Sequence, residues 1–319
     1  MNRLRVASSC LPLAFAGFAC MTPSRGAANH QYPNAAAMDR YAGNVAPTQV
    51  GDRWIFTYGP MVVEIDAAIG AHVATFSRGG TNVLAAGSWF RPSPQQAWGW
   101  PPPAEVESLP FAASVSGQVL TMQGANNKQW GLQAKKRFWA NANSEVFTIE
   151  YTLTNTGNST ANWAPWEISR VHPTGLTFFP AGQAIQAKTR SRQLPLQQAH
   201  GISWFDYEAS ALEPGKYIVA RDGAEGWIAH VEAGLAFIKT FPDVPVAQIA
   251  DDEGEIQLYT EAPAGADKFL EVEAEAAVQA LAPGQSSVWT VHWYLRQLPD
   301  GVVPVSGSTG LVDFVRRQI

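Results

Sequence analysis

What most constrains this chain is an apolar alternation with a period of two that returns along most of its length. In Phe147-Thr-Ile-Glu-Tyr-Thr-Leu-Thr154, Phe147, Ile149, Tyr151 and Leu153 fall on one side, and Thr148, Glu150, Thr152 and Thr154 on the other. That is the pattern of a strand with one buried face. Asn155-Thr-Gly-Asn158 ends it as a turn, and another candidate strand begins near Trp163. Residues 227–230 and 235–241 flank Glu232-Ala-Gly234 as a hairpin. Residues 271–278 and 288–295 flank the turn Ala282-Pro-Gly284 in the same way. With 27 Gly and 22 Pro the chain is punctuated at strand lengths. Helical spacing is confined to Leu311, Phe314, Val315 and Ile319, which predicts a short closing helix. No repeat of fixed period and no interdomain linker interrupt the pattern. The expectation is an all-β fold of stacked antiparallel sheets in a single domain over residues 51–319.

The N-terminus reads as an export signal over residues 1–28. Arg3 and Arg5 precede an apolar core, Val6 to Ala19, too short to span a bilayer, and Gly26-Ala27-Ala28 offers small residues for cleavage. Cleavage would remove three arginines and no acid, taking the net charge from −5 to −8, and would remove both cysteines. The mature chain would then have no disulfide and no thiol nucleophile. Lipid attachment at Cys20 is the alternative, but Gly17-Phe18-Ala19-Cys20 lacks the aliphatic residue usual three positions before such a cysteine. The chain is therefore expected in the periplasm or outside the cell, with no later membrane segment. Residues 29–50, polar and small, read as a flexible lead-in. The acidic balance gives no basic surplus to attract nucleic acid.

Functional groups concentrate in Trp163-Ala-Pro-Trp-Glu-Ile-Ser-Arg-Val-His172. Extended from Trp166, this segment sets Trp166, Ile168, Arg170 and His172 on one face and Glu167, Ser169 and Val171 on the other. An indole could stack on the apolar face of a pyranose while guanidinium and imidazole hold its polar groups. The competing reading is a core tryptophan beside an Arg170–Glu167 pair. Lys239 shares a face with Leu235, Phe237 and Phe241, so it either snorkels to an edge or enters a polar cavity. Glu271, Glu273 and Glu275 lie on one face of a late strand, either solvated together or with one serving as a general base. Asp251-Asp-Glu-Gly-Glu255 reads as a solvated acidic turn. The six histidines are scattered without metal-site spacing, and no phosphate loop or dinucleotide fingerprint is present, so no metal or cofactor is expected.

The stretch Gln95-Gln-Ala-Trp-Gly-Trp-Pro-Pro-Pro103 follows no period. Proline supplies no amide hydrogen and fixes φ, so its three consecutive prolines are expected to be stiff and extended. One of Trp98 and Trp100 is expected to wall a cleft above Trp166, the alternative being that both plug a sheet.

The segments AWGWPPP, GLQAKKRF, YTLTNTG, APWEISRV, GLTFFP and LAPGQSSVWTVHWYL resemble a bacterial family, domain of unknown function 4380, over roughly residues 50–298. That resemblance implies a galactose mutarotase-like (aldose 1-epimerase-like) β-supersandwich and a sugar-handling cleft. By analogy with mutarotases, Glu271 or Glu273 would take the anomeric hydroxyl proton while His172 protonates the ring oxygen. Trp98, Trp100, Trp166, Glu167, Arg170 and Lys239 would bind the sugar, with Arg170 and Lys239 suited to an acidic one. The paired histidines of true aldose epimerases have no counterpart here. The alternatives are a glycan-binding protein without catalysis and a structural envelope protein, since one fold hosts many activities.

Overall fold

The computed structural model describes residues 42–183, 185, 191–207, 212–262 and 268–319. The expected export signal and the first part of the lead-in lie outside the described residues. Within the stretch read as a lead-in, Asn44–Val45 and Thr48–Val50 are already strands. Each finds an antiparallel partner, Asn44–Val45 beside Leu132–Asn141 and Thr48–Val50 beside Arg53–Tyr58.

Two large sheets stack face to face, of eleven and twelve strands among the described residues. At the centre of the first, Val146–Asn155 lies between Leu132–Asn141 and Ser286–Gln297. At the centre of the second, Ala161–Val171 lies between Leu84–Ser93 and Leu270–Glu275, followed outward by Ile256–Ala262 and Gly215–Arg221. All pairings between these long strands are antiparallel. The short pair Arg192–Gln193 with Gly215–Arg221 is parallel. The alternating face read from residues 147–153 points between the sheets. There Phe147 meets Phe76 and Trp293, and Phe237 packs on the same indole at 5.0 Å between centroids.

The hairpin expected at residues 232–234 joins Trp227–Glu232 to Leu235–Thr240. Its two central residues, Ala233 and Gly234, both have positive φ, the geometry that lets a two-residue turn follow strand twist. The closing helix runs Thr309–Arg316, with the Ser308 hydroxyl accepting from the Leu311 amide as an N-cap. Its Leu311, Phe314 and Val315 cover Phe178, Trp204, Trp227 and Ile238 on the outer face of the first sheet. That leaves the outer face of the second sheet to form a site.

Candidate functional site

Alternation along the strands of the second sheet decides which side chains reach its outer face. Residues Glu167 and Ser169 face inward, so Trp166 and Arg170 face outward. Register then aligns Arg170 with Glu271, Glu271 with Tyr259, and Tyr259 with Ile218 in one row across four strands. The adjoining row holds Ile168, Glu273 and Gln257. These rows floor a cleft of about 570 Å³, closed at its sides by Arg91, Trp100 and Glu253 and at its outer end by Lys216, Glu261, Lys268 and Phe269. That volume suits a small ligand.

The polar groups are already organised. The Arg170 Nε lies 2.9 Å from Glu271 Oε1, and its guanidinium stacks 4.4 Å from the Phe269 ring centroid. Glu273 accepts a 2.7 Å hydrogen bond from the Trp166 indole nitrogen. Burial, reinforced by neighbouring Glu271, pushes the Glu273 carboxyl well above the usual carboxylate range, against the opposing pull of Arg91 and the indole. Glu275 is also raised by burial and by Glu253. It accepts from Ser93, and its second oxygen has no hydrogen-bond partner. Arg91 is paired to Glu107 at 2.6 Å, and its guanidinium lies 5.5 Å from the Trp100 ring and 5.7 Å from the Trp166 ring. Of the four glutamates lining the cleft, the two on its floor strand therefore differ: Glu271 is ion-paired, while Glu273 is held toward its protonated form. No group of three or more His, Cys, Asp or Glu side chains able to hold a metal occurs among the described residues.

The proline-rich segment splits its two indoles. Trp98 turns inward, 8% exposed, and donates to the Pro92 carbonyl at 2.7 Å. Trp100 is 71% exposed and stands at the cleft wall. Gly99 between them has φ of +72° with open space around it, so the glycine is needed for the backbone turn rather than for clearance. Residues Gln95–Ala97 form a single 3-10 turn ahead of the prolines.

The profile of the family described as Domain of unknown function (DUF4380) matches residues 91–296, which contain every residue lining the cleft. The chain belongs to that family. No curated protein sequence matches it. Among solved structures, the Slr1438 protein of Synechocystis sp. PCC 6803 superposes with a TM-score of 0.53 at 12% identity, covering 79% of this chain and 98% of the other. A galactose mutarotase related enzyme from Lactobacillus acidophilus gives 0.52 at 9% identity over 78% and 98%. A galactose mutarotase-like protein from Lactobacillus casei gives 0.51 at 10% identity over 76% and 100%. At such identities the likeness is one of fold. This DUF4380 chain is a galactose mutarotase-like β-supersandwich.

Of the residues singled out from sequence, Trp100, Trp166, Arg170, Glu271 and Glu273 come together in the cleft. Glu167 and Lys239 do not. They meet between the sheets, Lys239 Nζ at 3.1 Å from Glu167 Oε1, at 1% and 0% side-chain exposure. The supposed Arg170–Glu167 pair is thus replaced by Arg170–Glu271 and Lys239–Glu167, because adjacent strand positions that differ by an odd number face opposite ways. Lys239 neither snorkels nor lines the cleft. His172 is not among the cleft's lining residues. One residue past the end of its strand, it interacts electrostatically with His230 and Glu232, not with the cleft's carboxyls. Trp98 belongs to a neighbouring hollow. The supposed solvated face of Glu271, Glu273 and Glu275 is buried throughout, at 7%, 3% and 1% exposure. The acidic turn is exposed at Asp251 and Asp252 but folded in at its end: Glu255 accepts from the Gly223 and Val244 amides, and burial pushes its carboxyl up to about 8.

Sequence reasoning missed Arg91, Lys216, Glu253, Gln257 and Tyr259. A signal existed for two of them. In Ile256-Gln-Leu-Tyr-Thr-Glu261, Gln257, Tyr259 and Glu261 alternate with inward residues, which is the outward face of an inner strand. Arg91 carries no local signal, since its partners Glu107, Trp100 and Trp166 meet it only through the fold.

Proposed function

We propose that this protein binds a sugar on the outer face of its second sheet and exchanges the sugar's anomeric configuration by acid–base chemistry. The observation that carries this reading is the pairing of an exposed indole, Trp100, with two carboxyls in unlike environments, Glu271 on Arg170 and Glu273 under Trp166. Fixed indoles offer stacking at little entropic cost. Both arginines of the cleft and Lys268 already have carboxylate partners and Lys239 lies elsewhere, so Lys216 is the one lining cation without an ion pair among the described residues, and a neutral sugar fits better than an acidic one.

In the reaction proposed, Glu271 takes the anomeric hydroxyl proton, the bond from the anomeric carbon to the ring oxygen breaks, and Glu273 delivers its proton to that oxygen. Rotation and the reverse transfers close the other anomer. A general acid must hold a proton, and burial beside Glu271 holds the Glu273 carboxyl toward its protonated form. Glu273 takes the part that analogy gave to His172. Anomeric exchange on hexoses, read by NMR saturation transfer, tests this. Exchange that is absent with every common hexose and uronic acid rejects it.

A second reading is sugar binding without turnover. It is favoured by one observation: Glu271 and Glu273 are both engaged in hydrogen bonds within the protein. Binding with no exchange would select it. Export completes the proposal, resting on the leader-like residues 1–28. An intact N-terminus on cytoplasmic protein, read by mass spectrometry, would reject export. A lipid on Cys20 would replace soluble release by anchoring.

A further inference from the structure

We infer that the cleft is one half of a longer groove and that the ligand is an oligosaccharide crossing Trp100, rather than a free hexose. This rests on the sugar-binding reading above. Beyond the cleft wall lies a second hollow of about 720 Å³, lined by Trp98, Trp100, residues 101–105 and residues 126–130. Trp100 lines both spaces, so its ring is a ridge between two depressions and not the outer limit of one. At 71% exposure it is by far the most exposed tryptophan described. A sugar chain in contact with one side of that ridge has its next unit directed at the other.

The second hollow is built rather than incidental. Its floor is the inward indole of Trp98, fixed by the hydrogen bond to Pro92. Its far wall is the turn carrying Trp130, whose amide donates to Asn127 Oδ1 at 2.9 Å. Asn127 Nδ2 in turn donates to Glu105 Oε2 at 2.7 Å, tying the turn to the short helix Ala104–Glu107. The three prolines stiffen the opposite side. Three indoles thus border a polar hollow whose exposed Lys128 and Gln129 are free to meet hydroxyls. Flat apolar faces with polar groups at their edges are what successive pyranose rings require. No group of titratable side chains like that at Glu271 and Glu273 lines this hollow, so its part is to hold, not to react.

The test is calorimetry on the folded protein with two length series of one to six units, gluco-oligosaccharides and galacturonides. The dissociation constant is expected to fall at least tenfold between one and three units in at least one series. Trp130→Ala should erase that gain and leave monosaccharide affinity within twofold. Because Trp130 is half buried, the exposed double variant Lys128→Ala/Gln129→Ala serves as a second arm and should reduce the gain threefold or more. Single units bound as tightly as hexamers, or a length dependence unchanged in both variants, would overturn the groove and leave the cleft standing. Failure of every unit in both series to bind would instead remove the sugar reading beneath it.

Discussion

Replacing Lys239 by methionine probes what holds the two sheets together. Its ammonium bridges them, reaching Glu167 at 3.1 Å, the Val272 carbonyl at 2.7 Å and the Ser169 hydroxyl at 3.3 Å. Burial pulls this lysine below its usual range while Glu167 opposes that pull, so the charge depends on its partner. Lys239→Met leaves the Glu167 carboxylate in a dry interior with only the Tyr151 hydroxyl and the Trp293 indole as donors. Breaking one side of such a pair costs about 3–5 kcal/mol. For a domain of this length, about 2 °C per kcal/mol turns that into a fall of roughly 6–10 °C in Tm. Glu167→Gln in the same background removes the stranded charge and keeps an acceptor for one of the two donors. The double variant should therefore cost less than the sum of the singles by about 1–3 kcal/mol in urea unfolding. Sugar affinity at 25 °C should not change in Lys239→Met. Strict additivity of the two substitutions, or a selective loss of affinity at unchanged stability, would refute a structural pair and return Lys239 to the site.

Other outcomes follow from the cleft and its carboxyls. Glu255 is raised from 4.5 to about 8, so the folded protein keeps a proton that the unfolded chain releases in that window. Its contribution is complete below pH 4.5 and lost as pH rises through about 8. Tm should decline from pH 5 to 8, and Glu255→Gln should flatten the decline by up to about 1.4 kcal/mol per pH unit in urea unfolding. An unchanged slope would refute the assignment. Trp166→Phe keeps most of the packing but removes the donor to Glu273, and should weaken sugar binding by about 1 kcal/mol, roughly fivefold, in fluorescence titration. Glu273→Gln removes the proposed acid, and anomeric exchange should fall at least a hundredfold with binding retained. A drop of less than tenfold would assign the proton to another group.

The fold was legible because alternation is a local signal and strands express it directly. The Phe147 strand, the hairpin at residues 232–234 and the closing helix all lie where their periods predict. Site residues on one strand face were legible for the same reason, as with Trp166 and Arg170. What failed was partnership between strands. Nothing near Lys239 in sequence reveals Glu167 opposite it in the other sheet, and nothing near Glu271 reveals that neighbouring strands bury its whole row. The acidic run at residues 251–255 misled only at its end: Asp251 and Asp252 are an exposed turn, whereas two backbone amides take up Glu255 within the fold. His172 misled by analogy alone. One residue past the end of its strand, it no longer obeys the alternation that places Trp166 and Arg170.

Indole Nε1–H signals in a ¹⁵N-correlated NMR titration give the most direct reading of where a sugar sits. With the best-binding oligosaccharide from the length series, the account predicts that Trp100 and Trp166 shift together. Trp204, Trp227 and Trp293, sealed at 0% exposure, should stay in place. Saturable binding that leaves Trp100 and Trp166 unmoved would contradict it.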